Sequence, residues 1–271
     1  MSIKRTVGII GCGNIGTAIA VFIEKELSAK VSGTNLCDIN TERVTALAGR
    51  IKNCVVAPDL DALVDMSDVV VEAAGPDIVR AALSAAVRKN KDVIVISAGG
   101  VLGNESLLKE AREAGIKVFL PSGAIAGIDG IKAAKIAGID SVMITTRKPP
   151  ASLAGAPYIQ KNAIELDNIR TETVIFEGSA LDAVKEFPKN INVSALLSLA
   201  GIGPERTKVR IVTSPEYTRN IHEIEVDGKA GKLFLRAENV PSPDNPKTSY
   251  LACLACMECV RSYFDTVRLG N

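Results

Sequence analysis

The sequence predicts two architectures in succession. Residues 1–121 form a doubly wound parallel sheet of α/β type, and residues 122–246 an α+β domain on a mostly antiparallel sheet. Three observations support this. Up to Pro121, short apolar runs alternate with amphipathic segments, the rhythm of strands joined by covering helices. Beyond it, longer runs alternate residue by residue, as half-buried antiparallel strands do. The 271 residues, 47% apolar, suffice for two ordinary cores.

In the first half, Thr6–Ile10 reads as a strand and Asn14 to about Leu27 as a helix. Thr34–Cys37 is a second strand, with a helix from about Thr41; Asn53–Val56 is a weaker third, followed by Asp59 as a helix N-cap. Asp68–Ala73 is a buried fourth strand, after which Pro76 suits a first helical turn. Asp92–Ser97 is the fifth. Asn104 is expected to cap a helix over Glu105–Ala114 that Gly115 ends, before a sixth strand at Lys117–Leu120.

In the second half, strands are expected at Ser141–Thr146, Thr171–Glu177, Thr207–Thr213, Asn220–Val226 and Lys232–Ala237. Helices interrupt them near Gly127–Ile136, Ala180–Phe187 and Asn190–Ala200. Lys148–Asp167, rich in Pro, Ala and Gly, reads as a long excursion. A final helix is expected over Thr248–Phe264, after the turn Pro241–Pro246.

Composition excludes several classes. A net charge of +1 gives no field for nucleic acid or an anionic membrane. No apolar run approaches a membrane span. The first residues lead straight into a strand, so no signal peptide and a cytoplasmic site are expected. Trp is absent, which disfavours stacking platforms for sugars or single strands. The six cysteines are expected to be free thiols. Cys253, Cys256 and Cys259 have the spacing of part of an iron–sulfur site. On a helix, however, they fan over about 120°, so core packing is expected and no metal.

Gly11-Cys12-Gly13-Asn14-Ile15-Gly16 is G-x-G-x-x-G between a strand and a helix. Gly11 permits the turn, Gly13 lets a pyrophosphate approach the backbone and Gly16 packs helix on strand; the N–H groups after Asn14 and Ile15 face the phosphates. Asp38 follows at the second strand's end, about 20 residues on, where a carboxylate accepts from ribose hydroxyls. These features predict a Rossmann-type domain for NAD. Arg43 stands close enough to serve a 2′-phosphate, so NADP stays open. The turns Ala73-Ala74-Gly75-Pro76 and Ser97-Ala98-Gly99-Gly100 also lie at strand ends; they either admit the cofactor or are simple tight turns.

His222 is the only histidine. Strand alternation puts it with Ile224 and Val226 on the apolar side, as either a satisfied core histidine or a proton-handling group beside hydride transfer. Asn245-Pro246-Lys247-Thr248-Ser249, at the expected helix start, reads as a carboxylate site of Lys247, Thr248 and Ser249, or as capping with an exposed lysine.

Gly11–Gly16, Pro121–Gly127, Lys189–Val193, Asn220–His222 and Asn245–Ser249, in this order, resemble the L-aspartate dehydrogenase family over nearly the whole chain. The resemblance implies oxidation of L-aspartate to iminoaspartate with NAD or NADP, feeding NAD biosynthesis, and a homodimer. It implies that the last helix, within 247–271, returns to the first domain. The family's catalytic histidine falls on His222, and cofactor contacts fall on Ala124 and Asn190. The 148–167 segment and the Cys-rich last helix depart from the family pattern. The other readings are a reductase of another small imine or semialdehyde, which the motif order disfavours, and a dinucleotide-binding regulator without turnover.

Overall fold

The structure, a computed structural model, describes residues 4–188, 192–243 and 245–270, without the side chains of Pro246 and Lys247. The chain divides into two compact units. One comprises the residues through Pro121 together with Cys253–Leu269; the other is Ser122–Ala252 with Gly270.

The first unit contains β1 (Arg5–Ile10), α1 (Asn14–Glu26), β2 (Val31–Cys37), α2 (Thr41–Ala48), β3 (Cys54–Val56), α3 (Leu60–Asp65), β4 (Val69–Glu72), α4 (Pro76–Arg88), β5 (Asp92–Val95), α5 (Glu105–Glu113) and β6 (Val118–Phe119). The strands pair in parallel in the order β3-β2-β1-β4-β5-β6. This doubly wound order reverses direction between β1 and β4, so a crevice for a ligand opens at their C-terminal ends. β4 is buried at every position, which its unbroken Val-Val-Val run requires. Asp59 caps α3, accepting from the Ala62 N–H at 2.8 Å. Asn104 does not cap α5 with its side chain, contrary to expectation. Its amide donates instead to the Gly100 carbonyl at 2.9 Å, bracing the preceding 3-10 turn Ala98–Val101.

The second unit contains α6 (Ile128–Ala137), β7 (Ile139–Lys148), α7 (Pro157–Lys161), β8 (Thr173–Ser179), α8 (Ala180–Glu186), α9 (Asn192–Ala200), β9 (Thr207–Thr213), β10 (Asn220–Gly228), β11 (Gly231–Asn239), β12 (Pro241–Ser242) and β13 (Asn245–Ser249). Its main sheet runs β11-β10-β7-β9-β8, with only β7 and β9 parallel. Helices α6, α8 and α9 cover one face, burying Val142, Ile144, Val209, Ile211, Ile224 and Val226. The opposite face is polar: Glu223 pairs with Arg147 and Arg236, and Arg236 with Glu238.

Two sequence expectations are corrected here. β7 continues to Lys148, two residues past the predicted end, and the 148–167 excursion is folded into short turns and α7. Lys247, Thr248 and Ser249 do not open a helix. They lie on β13 of a small hairpin with β12, and the last helix, α10 (Tyr250–Phe264), begins after them. Pro246 disfavours helical backbone at Asn245, and the Asn245 amide donates to Thr248 Oγ1 at 3.2 Å, a local bond rather than a cap.

In α10, Cys256, Val260 and Tyr263 are buried against Val7, Ile9 and Ile94 in the first unit's core. The Tyr263 hydroxyl accepts from Arg5 and donates to Asp92 at 3.0 Å, while its ring meets Phe119 edge-on. Burial pushes the thiols of Cys256 and Cys259 up, the latter to about 12, so both stay protonated as packing groups. Among the described residues no cluster of three His, Cys, Asp or Glu could hold a metal, and no helix is long and apolar enough to cross a membrane.

Candidate active site

The glycine loop of the first unit has the geometry its spacing implies. Gly11 has φ +97°, and a Cβ there would lie 2.7 Å from the Ala73–Ala74 backbone. A Cβ on Gly16 would lie 1.9 Å from the Gly11 carbonyl oxygen, so helix and turn touch. Gly13 has nothing within 4 Å of where its Cβ would stand. Only the middle glycine faces open space, as approach of a pyrophosphate demands. α1 starts at Asn14 and Ile15 with no side-chain cap and no acidic residue in its first turn, which leaves its N–H groups and dipole available to an anion.

Asp38 closes the rim of this cradle. Its two carboxylate oxygens accept from the Cys12 N–H at 2.6 Å and the Asn40 N–H at 2.8 Å. The Cys12 thiol, pushed up to about 12 by burial and then by Asp38, is no nucleophile. Asn40 caps α2 at Arg43, whose own side chain is exposed.

Across the crevice, the fully buried Glu72 at the end of β4 organises the next two turns. One carboxylate oxygen accepts from the N–H groups of Ala74 and Gly75, each at 2.9 Å, and from Ser97 Oγ at 3.0 Å; the other accepts from the Ser97 N–H at 3.0 Å. The two glycine turns differ in kind. Gly75 (φ +125°) has open space around it, so Ala74 and Gly75 can face a ligand. Ser97–Gly100 is buried, and a Cβ on Gly100 would lie 2.3 Å from the Pro76 carbonyl oxygen; this turn serves packing against α4, not ligand approach.

The second unit gathers a different chemistry on the helix-covered face of its sheet. His222 on β10 stands opposite Thr146 on β7, with His222 Nδ1 3.0 Å from Thr146 Oγ1. Burial, then the charge of Lys148, lowers His222 to about 3, so its ring is neutral near pH 7. Lys148 follows two residues after Thr146 on the same face. It is buried, which lowers it to about 8, and Thr213 Oγ1 holds its carbonyl at 2.7 Å. The same face carries Asn220 and, directly opposite it on β11, Asn239. The Asn239 amide donates to the Ala124 carbonyl at 3.0 Å, which fixes the side chain's orientation; its buried Oδ1 has no partner among the described residues.

Lys148, Asn220 and Asn239 line a cavity of about 340 Å³ with Phe187, Arg219 and Pro241. Pro241 is the cross-strand partner of Ser249, so the hairpin bearing Thr248 and Ser249 borders it. Asn190 and the side chain of Lys247 lie outside the described residues. Sequence reasoning missed Glu72, Thr146, Lys148 and Asn239. A visible signal existed for Lys148: it extends the alternation Val142, Ile144, Thr146 on the buried side of a strand.

Comparison with known proteins agrees with both units. Residues 11–121 match the family described as homoserine dehydrogenase, NAD binding domain, and residues 129–263 match aspartate dehydrogenase, C-terminal. The chain is 44% identical over 270 residues to an L-aspartate dehydrogenase of Methanosarcina mazei, covering 98% of this chain and 99% of that one. With an L-aspartate dehydrogenase of Bradyrhizobium diazoefficiens it shares 39% identity, covering 100% and 95% of the two chains. The crystal structure of aspartate dehydrogenase from Thermotoga maritima superposes with a TM-score of 0.78 at 27% identity, covering 99% of this chain and 100% of that one. The chain therefore belongs to the L-aspartate dehydrogenase family.

Proposed function

We infer that the protein oxidises L-aspartate to iminoaspartate, which hydrolyses to oxaloacetate and ammonia, and so feeds NAD biosynthesis. One observation carries the chemistry: a neutral histidine, ring-fixed by a threonine, beside a buried lysine in the wall of a cavity. Near-full-length identity with L-aspartate dehydrogenases supports the substrate.

NAD or NADP fits the first unit because Gly13 leaves open the space a Cβ would fill and Asp38 stands at the β2 end. When bound, the dinucleotide supplies the hydride acceptor. Gly11, Gly13, Asn14, Ile15 and Gly16 hold its phosphates, Asp38 its ribose, and Ala74 and Gly75 give it backbone to lie against; Ala124 and Asn190 complete the contacts. His222 is the catalytic group. With Nδ1–H donating to Thr146, its Nε2 carries the lone pair that takes a proton from the substrate amine. Lys247, Thr248 and Ser249 hold a carboxylate from the hairpin edge. The protein works in the cytoplasm as a homodimer.

A panel of L-amino acids with NAD and with NADP, followed at the reduced-nicotinamide absorbance, tests this reading. L-aspartate should be the best substrate; turnover of L-alanine or L-glutamate at a comparable kcat/KM overturns the substrate assignment. Light scattering in solution should give the mass of two chains.

A further inference from the structure

We propose that Glu72 makes the protein favour the oxidised over the reduced dinucleotide, by setting a buried negative charge behind the turn that faces the nicotinamide half. This rests on the assignment of Gly11–Gly16, Asp38, Ala74 and Gly75 to the cofactor. It adds a group that tells the two redox states apart without touching either.

Strand order places the charge. Ile10, the last residue of β1, pairs with Cys37 on one side and with Glu72 on the other. The glycine loop that follows Ile10 therefore stands between two carboxylates, Asp38 just after β2 and Glu72 at the end of β4, on strands that neighbour β1 at about 4.8 Å. A pyrophosphate on the loop and an adenosine ribose at Asp38 leave one direction for the rest of a dinucleotide laid across the crevice. That direction runs over β4, toward Ala74 and Gly75. Ala74 is exposed, and Gly75 has nothing within 4 Å of where its Cβ would stand. The Glu72 carboxylate lies directly behind both, accepting from each N–H at 2.9 Å.

The charge is held but not cancelled. Among the described residues, the partners of the fully buried Glu72 carboxylate are the N–H groups of Ala74, Gly75 and Ser97 and the Ser97 hydroxyl, all neutral donors. They satisfy its oxygens, fix the two turns and leave its net charge in place. On α4, Asp77 and Arg80 are exposed, so water and salt screen them. A charge kept from water acts over a longer range. The oxidised nicotinamide ring is positive and the reduced ring is neutral, while the rest of the dinucleotide is the same in both. The field of Glu72 therefore acts on the difference: it strengthens binding of NAD+ and gives NADH no such attraction. In the oxidation proposed above, this favours loading of the oxidised cofactor and release of the reduced one.

The test titrates the whole protein calorimetrically with NAD+, NADH and benzamide adenine dinucleotide, which has the shape of NAD+ but an uncharged ring. The unmodified protein should bind NAD+ at least about fivefold more tightly than the uncharged isostere, less than Coulomb's law gives for a unit pair about 10 Å apart at an effective dielectric of about 20. In Glu72→Gln that advantage should fall below about twofold, with the Kd values of NADH and the isostere changing together. A merely structural role for Glu72 would weaken all three ligands by one factor and keep the ratio, which overturns the proposal. Equal binding of NAD+ and the isostere by the unmodified protein also overturns it, so the decision does not depend on the folding of the variant. That result leaves the cofactor assignment standing. Failure of all three ligands to bind the unmodified protein overturns the assignment and the proposal together.

Discussion

Thr146 Oγ1 lies 3.0 Å from His222 Nδ1, across paired strands β7 and β10, on the face that also buries Ile144, Ile224 and Val226. The contact fixes the orientation of a ring that burial, and then the charge of Lys148, keeps uncharged near pH 7. His222→Ala should fold, keep dinucleotide affinity and lose about 10²–10⁴-fold in kcat, the range for a general acid–base group. Thr146→Val should lose less, about tenfold, while Thr146→Ser retains most activity. Single-turnover and steady-state rates check this; a Thr146→Val enzyme of full activity removes the threonine from the mechanism.

Two glycines of the same loop, Gly13 and Gly16, should fail differently. Gly13 faces open space, so Gly13→Val should fold with an unchanged melting temperature and lose dinucleotide binding. A Cβ at Gly16 would meet the Gly11 carbonyl at 1.9 Å, so Gly16→Val should destabilise the first unit itself. Thermal melting beside NADH titration separates the two; a Gly13→Val variant with full affinity moves the cofactor elsewhere.

Asp38 places a carboxylate at the end of β2, where a 2′-phosphate would be repelled. NAD should be preferred, and Asp38→Ser should move the kcat/KM ratio toward NADP by about tenfold or more. A clear NADP preference in the unmodified protein would mean that Arg43 governs this corner.

The buried cation and imidazole should be visible in the pH dependence of stability. Burial lowers Lys148 from 10.5 to about 8. Between those values the unfolded chain binds the extra proton, so this group's contribution to stability rises with pH there; below about 8 its burial penalty is complete. His222, lowered from 6.5 to about 3, loses stability as pH falls through that window. Lys148→Met should flatten the alkaline rise in melting temperature, and His222→Gln the acid fall. An unchanged alkaline slope in Lys148→Met would show that the lysine is not desolvated.

The parts of the site that sequence made legible are those contiguous in the chain. Gly11, Gly13 and Gly16 carry their chemistry at fixed offsets, and Asp38 follows one strand later. His222 declared its face through the alternation with Ile224 and Val226. Thr146 and Lys148 on β7 and Asn239 on β11 are brought to one face with His222 of β10 only through register, which no local pattern states. Lys148 was hidden further because its alternation ran into a Pro-rich segment that reads as loop. Asn245–Ser249 was misread because Asn and Thr favour helix caps and tight turns alike. Glu72 sat at the end of an apolar strand, and nothing local tells that four donors converge on it.

The contribution of α10 to the first core has a consequence for biosynthesis. Cys256, Val260 and Tyr263 complete a core whose other members precede Pro121, while the second unit between them is almost one unbroken stretch, Ser122–Ala252. As the chain leaves the ribosome, the second unit has all its strands before the first has its last helix. The dinucleotide domain, though begun first, is finished last. Stalled chains ending before Cys253 should therefore hold a protease-resistant second unit and a first unit still open to digestion.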